Sequence, residues 1–278
     1  MFKRKAKQQL VTVTGSAHGV GFTLEAGDAD VLALMRLLLP PAWKDGEPGL
    51  QPLTLRLLRD AAGVYELHRG RRVVTVGPED EALDDFEREM RLHIALNAPD
   101  HFFLHAGAVA YAGQGIIVPG ASFSGKTTLV AALVRAGATY YSDEHAVLGA
   151  DGRLLPYPKP LGLRVTEGSG RQTNHDITAL GGVSAREAAP IRLVVVTQYR
   201  PGAEWTPAEL SPADTVLALL QHTFRGMDQA ERSIPMLRVA AAGAIGVKGD
   251  RGDAEATATD LLARLTHSAA DEAPAAGG

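Results

Sequence analysis

Gly120, Ala121, Ser122, Phe123, Ser124, Gly125, Lys126 and Thr127 follow one another in the order G-x-x-x-x-G-K-T, the spacing of a loop that wraps phosphate oxygens. Each residue type has a physical task there. Gly120 and Gly125 permit backbone angles and close approaches that a Cβ would obstruct, so the N–H groups of Ser122 to Thr128 can turn inward around an anion. A helix starting at this point adds the positive end of its dipole. Lys126 can reach the β- and γ-phosphates as a mobile charge, and the Thr127 hydroxyl is placed to ligate a magnesium ion bridging them. Gly120, Ala121, Ser122, Phe123, Ser124, Gly125, Lys126, Thr127 and Thr128 are therefore the candidate nucleotide-binding residues. The competing reading is a chance match in a chain with 30 glycines. Context argues against it, because the apolar run Ile116 to Val118 precedes the loop and a helical pattern follows as far as Gly137, a natural left-handed terminator.

A second group with chemical capacity comes next. Ala138 to Tyr141 reads as a strand, and Asp143 and Glu144 stand at its carboxyl end, where α/β sheets bind ligands. Two carboxylates there can hold magnesium, and one can accept a proton from an attacking hydroxyl. The alternative is that they cap the following turn. Ile191 to Val196 reads as a strand buried on both faces, ending in Thr197 and Gln198, where many other phosphate-loop proteins carry an acidic residue. Lys159 and Arg164 are either phosphate contacts or surface charge. The polar stretch Glu167 to Thr178 suits a mobile loop over the site. Within it His175 and Asp176 read as solvated, and the nine histidines show no metal-ligand spacing.

The elements that must position these groups follow from composition and periodicity. The 278 residues, 45% of them hydrophobic, suffice for one large or two ordinary domains. A net charge of -4 argues against nucleic-acid and membrane-surface partners. The chain has no cysteine, which excludes disulfides, thiolate metal sites and a cysteine nucleophile. The basic opening lacks an apolar stretch of signal-peptide length behind it, and a cytoplasmic location is the expectation.

Three divisions are expected: an N-terminal α+β module with a connector helix over 1–98, a phosphate-loop domain over 99–267 and a disordered tail over 268–278. The module should contain strands at Leu10 to Thr14 and Gly21 to Leu24, and a helix capped by Asp28. Three further strands should lie near Leu53 to Leu58, Val64 to His68 and Arg72 to Val76. Pro78 opens a long amphipathic helix with Leu83, Phe86, Met90 and Ile94 on one stripe, its charged residues forming a solvated face. Later come a hairpin turning at Asp151 and Gly152, a helix opened by Ser211 and Pro212, and a second helical region after Met227. A short strand at Ile245 to Lys248 and a last helix from Ala254 to Leu265 complete the chain.

His105 to Val109, the loop and its helix, Arg135 to Gly137 and Ser142 to Glu144 together resemble the catalytic core of HPr kinase/phosphorylase and the wider group of HPr kinase-like proteins, over residues 104 to 148. The resemblance implies an α/β fold with a P-loop kinase core of the phosphoenolpyruvate carboxykinase and HPr kinase type, beside a small N-terminal α+β module. It implies ATP and Mg2+ as cofactors and transfer of the γ-phosphate to a hydroxyl, a serine first of all, on a protein or peptide acceptor. In that scheme Asp143 is the base, with His105 beside it. Lys126 holds the phosphates, and Thr127, Asp143 and Glu144 serve the metal.

Two departures stand out. The family's paired aspartates are here Asp143 and Glu144, and a Glu-Ile-Arg-Gly-type signature is missing where this chain has Pro156 to Arg164. The layout looks closer to HPr kinase-like proteins that accompany peptide-modification systems. A nucleotide-dependent recruitment module without phosphotransfer, phosphorolysis and a small-molecule kinase stay open, as does assembly into a homo-oligomer.

Overall fold

The computed structural model describes residues 10–121, 124–158, 161–164 and 172–271. The chain is a mixed α/β protein that divides into two compact units, Met1–His101 and Phe102–Gly278.

The first unit runs β1 (Val11–Ala17), β2 (Val20–Ala26), α1 (Ala29–Leu37), β3 (Lys44–Asp45), β4 (Leu50–Arg59), β5 (Tyr65–Arg69), β6 (Arg72–Gly77) and α2 (Glu79–Asn97). Its sheet has the order β3-β1-β2-β4-β5-β6, with β2 and β4 parallel and the other pairs antiparallel. His18 and Gly19 close the β1–β2 hairpin at φ +51° and +78°, the positive angles a two-residue turn requires. Asp28 accepts from Val31 N at 2.9 Å and caps α1.

Phe86, Met90 and Ile94 of α2 are buried, as their helical spacing demands. The charged side of α2 differs from the solvated face expected of it. Thr75 donates to Asp85, Tyr65 donates to Glu79, and Arg69 Nη1 lies 2.8 Å from Glu89 Oε2. The reason is that β5 and β6 present hydroxyls and an arginine within reach of α2, a tertiary relation that periodicity alone does not encode.

The second unit runs β7 (His101–Tyr111), β8 (Gln114–Pro119), α3 (Lys126–Arg135), β9 (Thr139–Ser142), β10 (His145–Gly149), β11 (Leu154–Leu155), β12 (Leu161–Arg164), β13 (Gln172–His175), a 3-10 turn (Ile177–Leu180), β14 (Ile191–Tyr199), β15 (Ala208–Leu210), α4 (Pro212–His222), α5 (Ala230–Ala241), β16 (Ile245–Arg251) and α6 (Ala254–Asp271). The sheet order is β11-β10-β7-β8-β14-β16-β15, and β9 also pairs with β7. β8, β14 and β16 are parallel, whereas β7 runs antiparallel to β8 and β15 antiparallel to β16.

Helices cover both faces of the parallel part. Ile116, Val118, Leu193, Val195 and Val247 join the residues of α3 and α6 in one core. Ile117, Ile191 and Val194 join those of α4 and α5 in the other. Burial on both faces is why β8 and β14 read as unbroken apolar runs rather than alternating ones. Gly107 lets α3 lie close on β7, since a Cβ there would fall 2.5 Å from Val130 Cγ2.

Part of the stretch expected to be a mobile loop is ordered. Gln172–His175 pairs antiparallel with Leu161–Arg164, and Asp176 Oδ1 accepts from Thr178 N at 2.8 Å to cap the 3-10 turn. Residues 165–171 lie outside the described residues, as does Lys159. The last strand continues past Lys248 to Arg251, and the last helix past Leu265 to Asp271.

Candidate functional site

The loop grows from the carboxyl end of β8. Pro119 closes the strand, Gly120 and Ala121 leave it, and Gly125 at φ +86° turns the chain into α3. Gly125 is the N-cap of α3 and provides no side-chain cap, so the first N–H groups of the helix have no side-chain acceptor from that position. A Cβ on Gly120 would meet Ser124 Oγ at 2.7 Å, so a side chain there would have to displace that hydroxyl. Thr127 is half-buried and Thr128 exposed, both in the first turn of α3. Ser122 and Phe123 lie outside the described residues.

Lys126 is buried, and its ammonium is folded back onto the loop, donating to Gly120 O at 2.6 Å and Ala121 O at 2.8 Å. Burial lowers its pKa to about 8, while the charges of Asp143 and Glu144 act in the opposite sense. Both carboxylates thus lie within electrostatic reach of the ammonium. The backbone explains how they come there. Gly120 N donates to His105 O at 3.4 Å, and the next residue of β7, Ala106, donates from its N to Glu144 O at 3.2 Å. β7 thus ties the start of the loop and the acidic pair to adjacent positions, with the half-buried His105 between them.

Asp143 is buried, and Tyr140 donates to its Oδ1 at 3.2 Å. Burial first, and then the Asp143 charge, push the Tyr140 hydroxyl far up, so it stays protonated and remains a donor. Glu144 is half-buried. Among the described residues no three His, Cys, Asp or Glu side chains converge into a metal cage. Two neighbouring carboxylates and a threonine hydroxyl are nonetheless a hard oxygen donor set of the kind magnesium shares with phosphate oxygens.

Two residues that sequence reasoning passed over, Arg251 and His222, belong to this region beside Thr197. Arg251, at the end of β16, is 1% exposed and donates from Nη2 to Gly125 O at 2.6 Å. Its guanidinium lies 5.7 Å from the ring centre of Tyr199, whose own N–H donates to Ser124 O at 3.1 Å. His222, at the end of α4, has its pKa lowered by burial and by the nearby Lys126 charge. Thr197, at the place where an acidic residue is absent, is buried, and its Oγ1 has no hydrogen-bond partner among the described residues. Only the missing acid is visible in the sequence; Arg251 and His222 carry no local signal.

No family model matches the chain, and no characterised protein matches it in sequence. Among solved structures it is similar to the Hpr(Ser) kinase/phosphatase from Coxiella burnetii, at 13% identity and a TM-score of 0.33, over 61% of this chain and 98% of that one.

Proposed function

We propose that the chain is an ATP-dependent kinase that transfers the γ-phosphate to a hydroxyl, serine first of all, of a protein or peptide. The observation that carries this reading is Lys126, held by the carbonyls of Gly120 and Ala121 and within electrostatic reach of Asp143 and Glu144. An anion-binding loop alone licenses nucleotide binding; carboxylates beside its lysine add a proton acceptor and metal ligands.

The residues present fit the groups the reading requires. The turn at Gly120 brings Ser124 Oγ within 2.7 Å of where a Cβ would stand, and the α3 N-terminus has no side-chain cap, which suits phosphate oxygens. Thr127, Asp143 and Glu144 would hold magnesium, which when bound neutralises charge developing on the phosphates. Lys126 exchanges its loop carbonyls for phosphate oxygens. Asp143 takes the acceptor's proton as the new oxygen–phosphorus bond forms and the bond to the ADP oxygen breaks. Tyr140 holds one Asp143 oxygen and so orients the carboxylate, with His105 alongside. Among the described residues no helix is long and apolar enough to cross a membrane.

Incubation with γ-labelled ATP, magnesium and a panel of serine-containing peptides tests the reading. Label on a peptide supports it. Tight ATP binding with label on neither peptide nor water would instead make the chain a nucleotide-dependent recruitment module.

A further inference from the structure

The phosphate-binding loop has two flanks, because β8 lies between β7 on one side and β14 on the other. The acidic pair belongs to the β7 flank. On the β14 flank a cleft of about 610 Å³ opens directly onto Gly120, Ala121 and Ser124. Its floor is a patch of sheet at the carboxyl ends of the parallel strands, where α/β proteins bind ligands. Register shows how the patch is built: Val196 pairs with Lys248, Lys248 with Ala208, and Gln198 with Asp250. Successive side chains alternate between faces, so these residues and Leu210 share one surface. It continues the face that α4 covers near Gly246, where a Cβ would fall 2.0 Å from Thr215 Oγ1. At the other end of α4, His222 lines the cleft.

The chemistry of this surface suits one face of a flat heterocycle. Val196, Ala208 and Leu210 are apolar, Gln198 and Lys248 are exposed polar groups, and the Asp250 carboxylate is paired with Arg200 Nε at 2.8 Å. The volume lies within the roughly 300–1,000 Å³ range of small-molecule sites, which combine apolar walls with a few polar groups. We propose that this cleft is the nucleoside subsite: the base of a nucleoside triphosphate lies on the β14–β16–β15 floor, with Gln198 as a hydrogen-bonding contact. The proposal rests on the reading of the loop as a triphosphate site. A hydroxyl acceptor must reach Asp143, so the γ end of the triphosphate points to the β7 flank and the nucleoside leaves on the opposite one. The phosphate loop and the cleft thus divide one ligand between them.

Binding of ATP and of inorganic tripolyphosphate, measured by calorimetry on the wild type, Ala208→Trp and Gln198→Ala, separates the two parts. Ala208 and Gln198 are exposed, so neither change removes a buried core side chain. The expected result is that Ala208→Trp weakens ATP at least tenfold and Gln198→Ala about threefold to tenfold, with tripolyphosphate within twofold of wild type in both. If Ala208→Trp weakens both ligands and lowers the melting temperature, Gln198→Ala decides: selective loss of ATP supports the subsite, and equal retention of both ligands overturns it. Unchanged ATP affinity in both variants overturns it as well, including the case where phosphotransfer is lost and the cleft is an acceptor site. A wild type that binds neither ligand overturns the loop reading and the subsite with it.

Discussion

Arg251 Nη2 donates to Gly125 O at 2.6 Å, joining the end of the last strand to a loop residue that stands at φ +86°. The donor is buried and charged, and Tyr199 N fixes the preceding carbonyl of Ser124 at 3.1 Å. The turn into α3 is therefore clamped from β14 and β16. A charge-assisted hydrogen bond is worth about 1.5–3 kcal/mol, and a buried carbonyl left without its donor adds a desolvation penalty. Arg251→Gln is expected to lower stability by about 2 kcal/mol or more in urea denaturation and to weaken tripolyphosphate binding. Arg251→Lys should restore part of the affinity, because it keeps the charge but has no planar fork.

The same contact makes Gly125 doubly constrained. An alanine Cβ would fall 2.5 Å from Arg251 Nη2, in addition to the strain of its positive φ. Gly63 separates the two effects, since it stands at φ +82° and a Cβ added there would meet nothing within 4 Å. Gly63→Ala should cost about 1–2 kcal/mol from backbone conformation alone. Gly125→Ala should cost measurably more and also lose anion affinity, both read by chemical denaturation and calorimetry.

The pH dependence of binding follows from Lys126. Burial brings its pKa from 10.5 to about 8 in the folded chain, so between those values the unfolded chain holds the proton more tightly. The cost of burying the charge is then fully present below pH 8 and is relieved as pH rises toward 10.5, and stability gains over that window. Anion binding has the opposite slope because phosphate oxygens favour the charged lysine. Tripolyphosphate affinity, corrected for the ligand's own ionisation, should be flat below pH 8 and fall by up to about tenfold per unit above it. The neighbouring His222 has its pKa lowered from 6.5 and does not titrate there. Lys126→Arg should abolish the decline; an unchanged profile would assign it to another group.

The strand before the loop and the helix after it were legible because their signals are local. An apolar run reads as β8, and Lys-Thr-Thr up to Gly137 reads as α3, each within a few residues of its observed bounds. The unbroken run Ile191 to Val196 reads as a strand buried on two faces, and β14 has helices packed on both. What stayed hidden depends on distant pairing. Arg251 and Gly125 are 126 residues apart, and no periodicity in Gly246 to Arg251 announces that this strand lies beside β14. The short β15, which completes the floor of the cleft, has only three residues and too weak a pattern to notice. The acidic side of α2 misled for a related reason, since the hydroxyls that bind it belong to other strands.

The most direct measurement of the central claim compares Asp143→Asn with the wild type in transfer of label from γ-labelled ATP to a serine peptide, with ATP affinity measured in parallel. A general base contributes about 10²- to 10⁴-fold to rate. The account predicts that Asp143→Asn slows transfer by at least 100-fold while ATP affinity stays within a few-fold of wild type. Transfer at the wild-type rate by Asp143→Asn, with nucleotide binding intact, would contradict it.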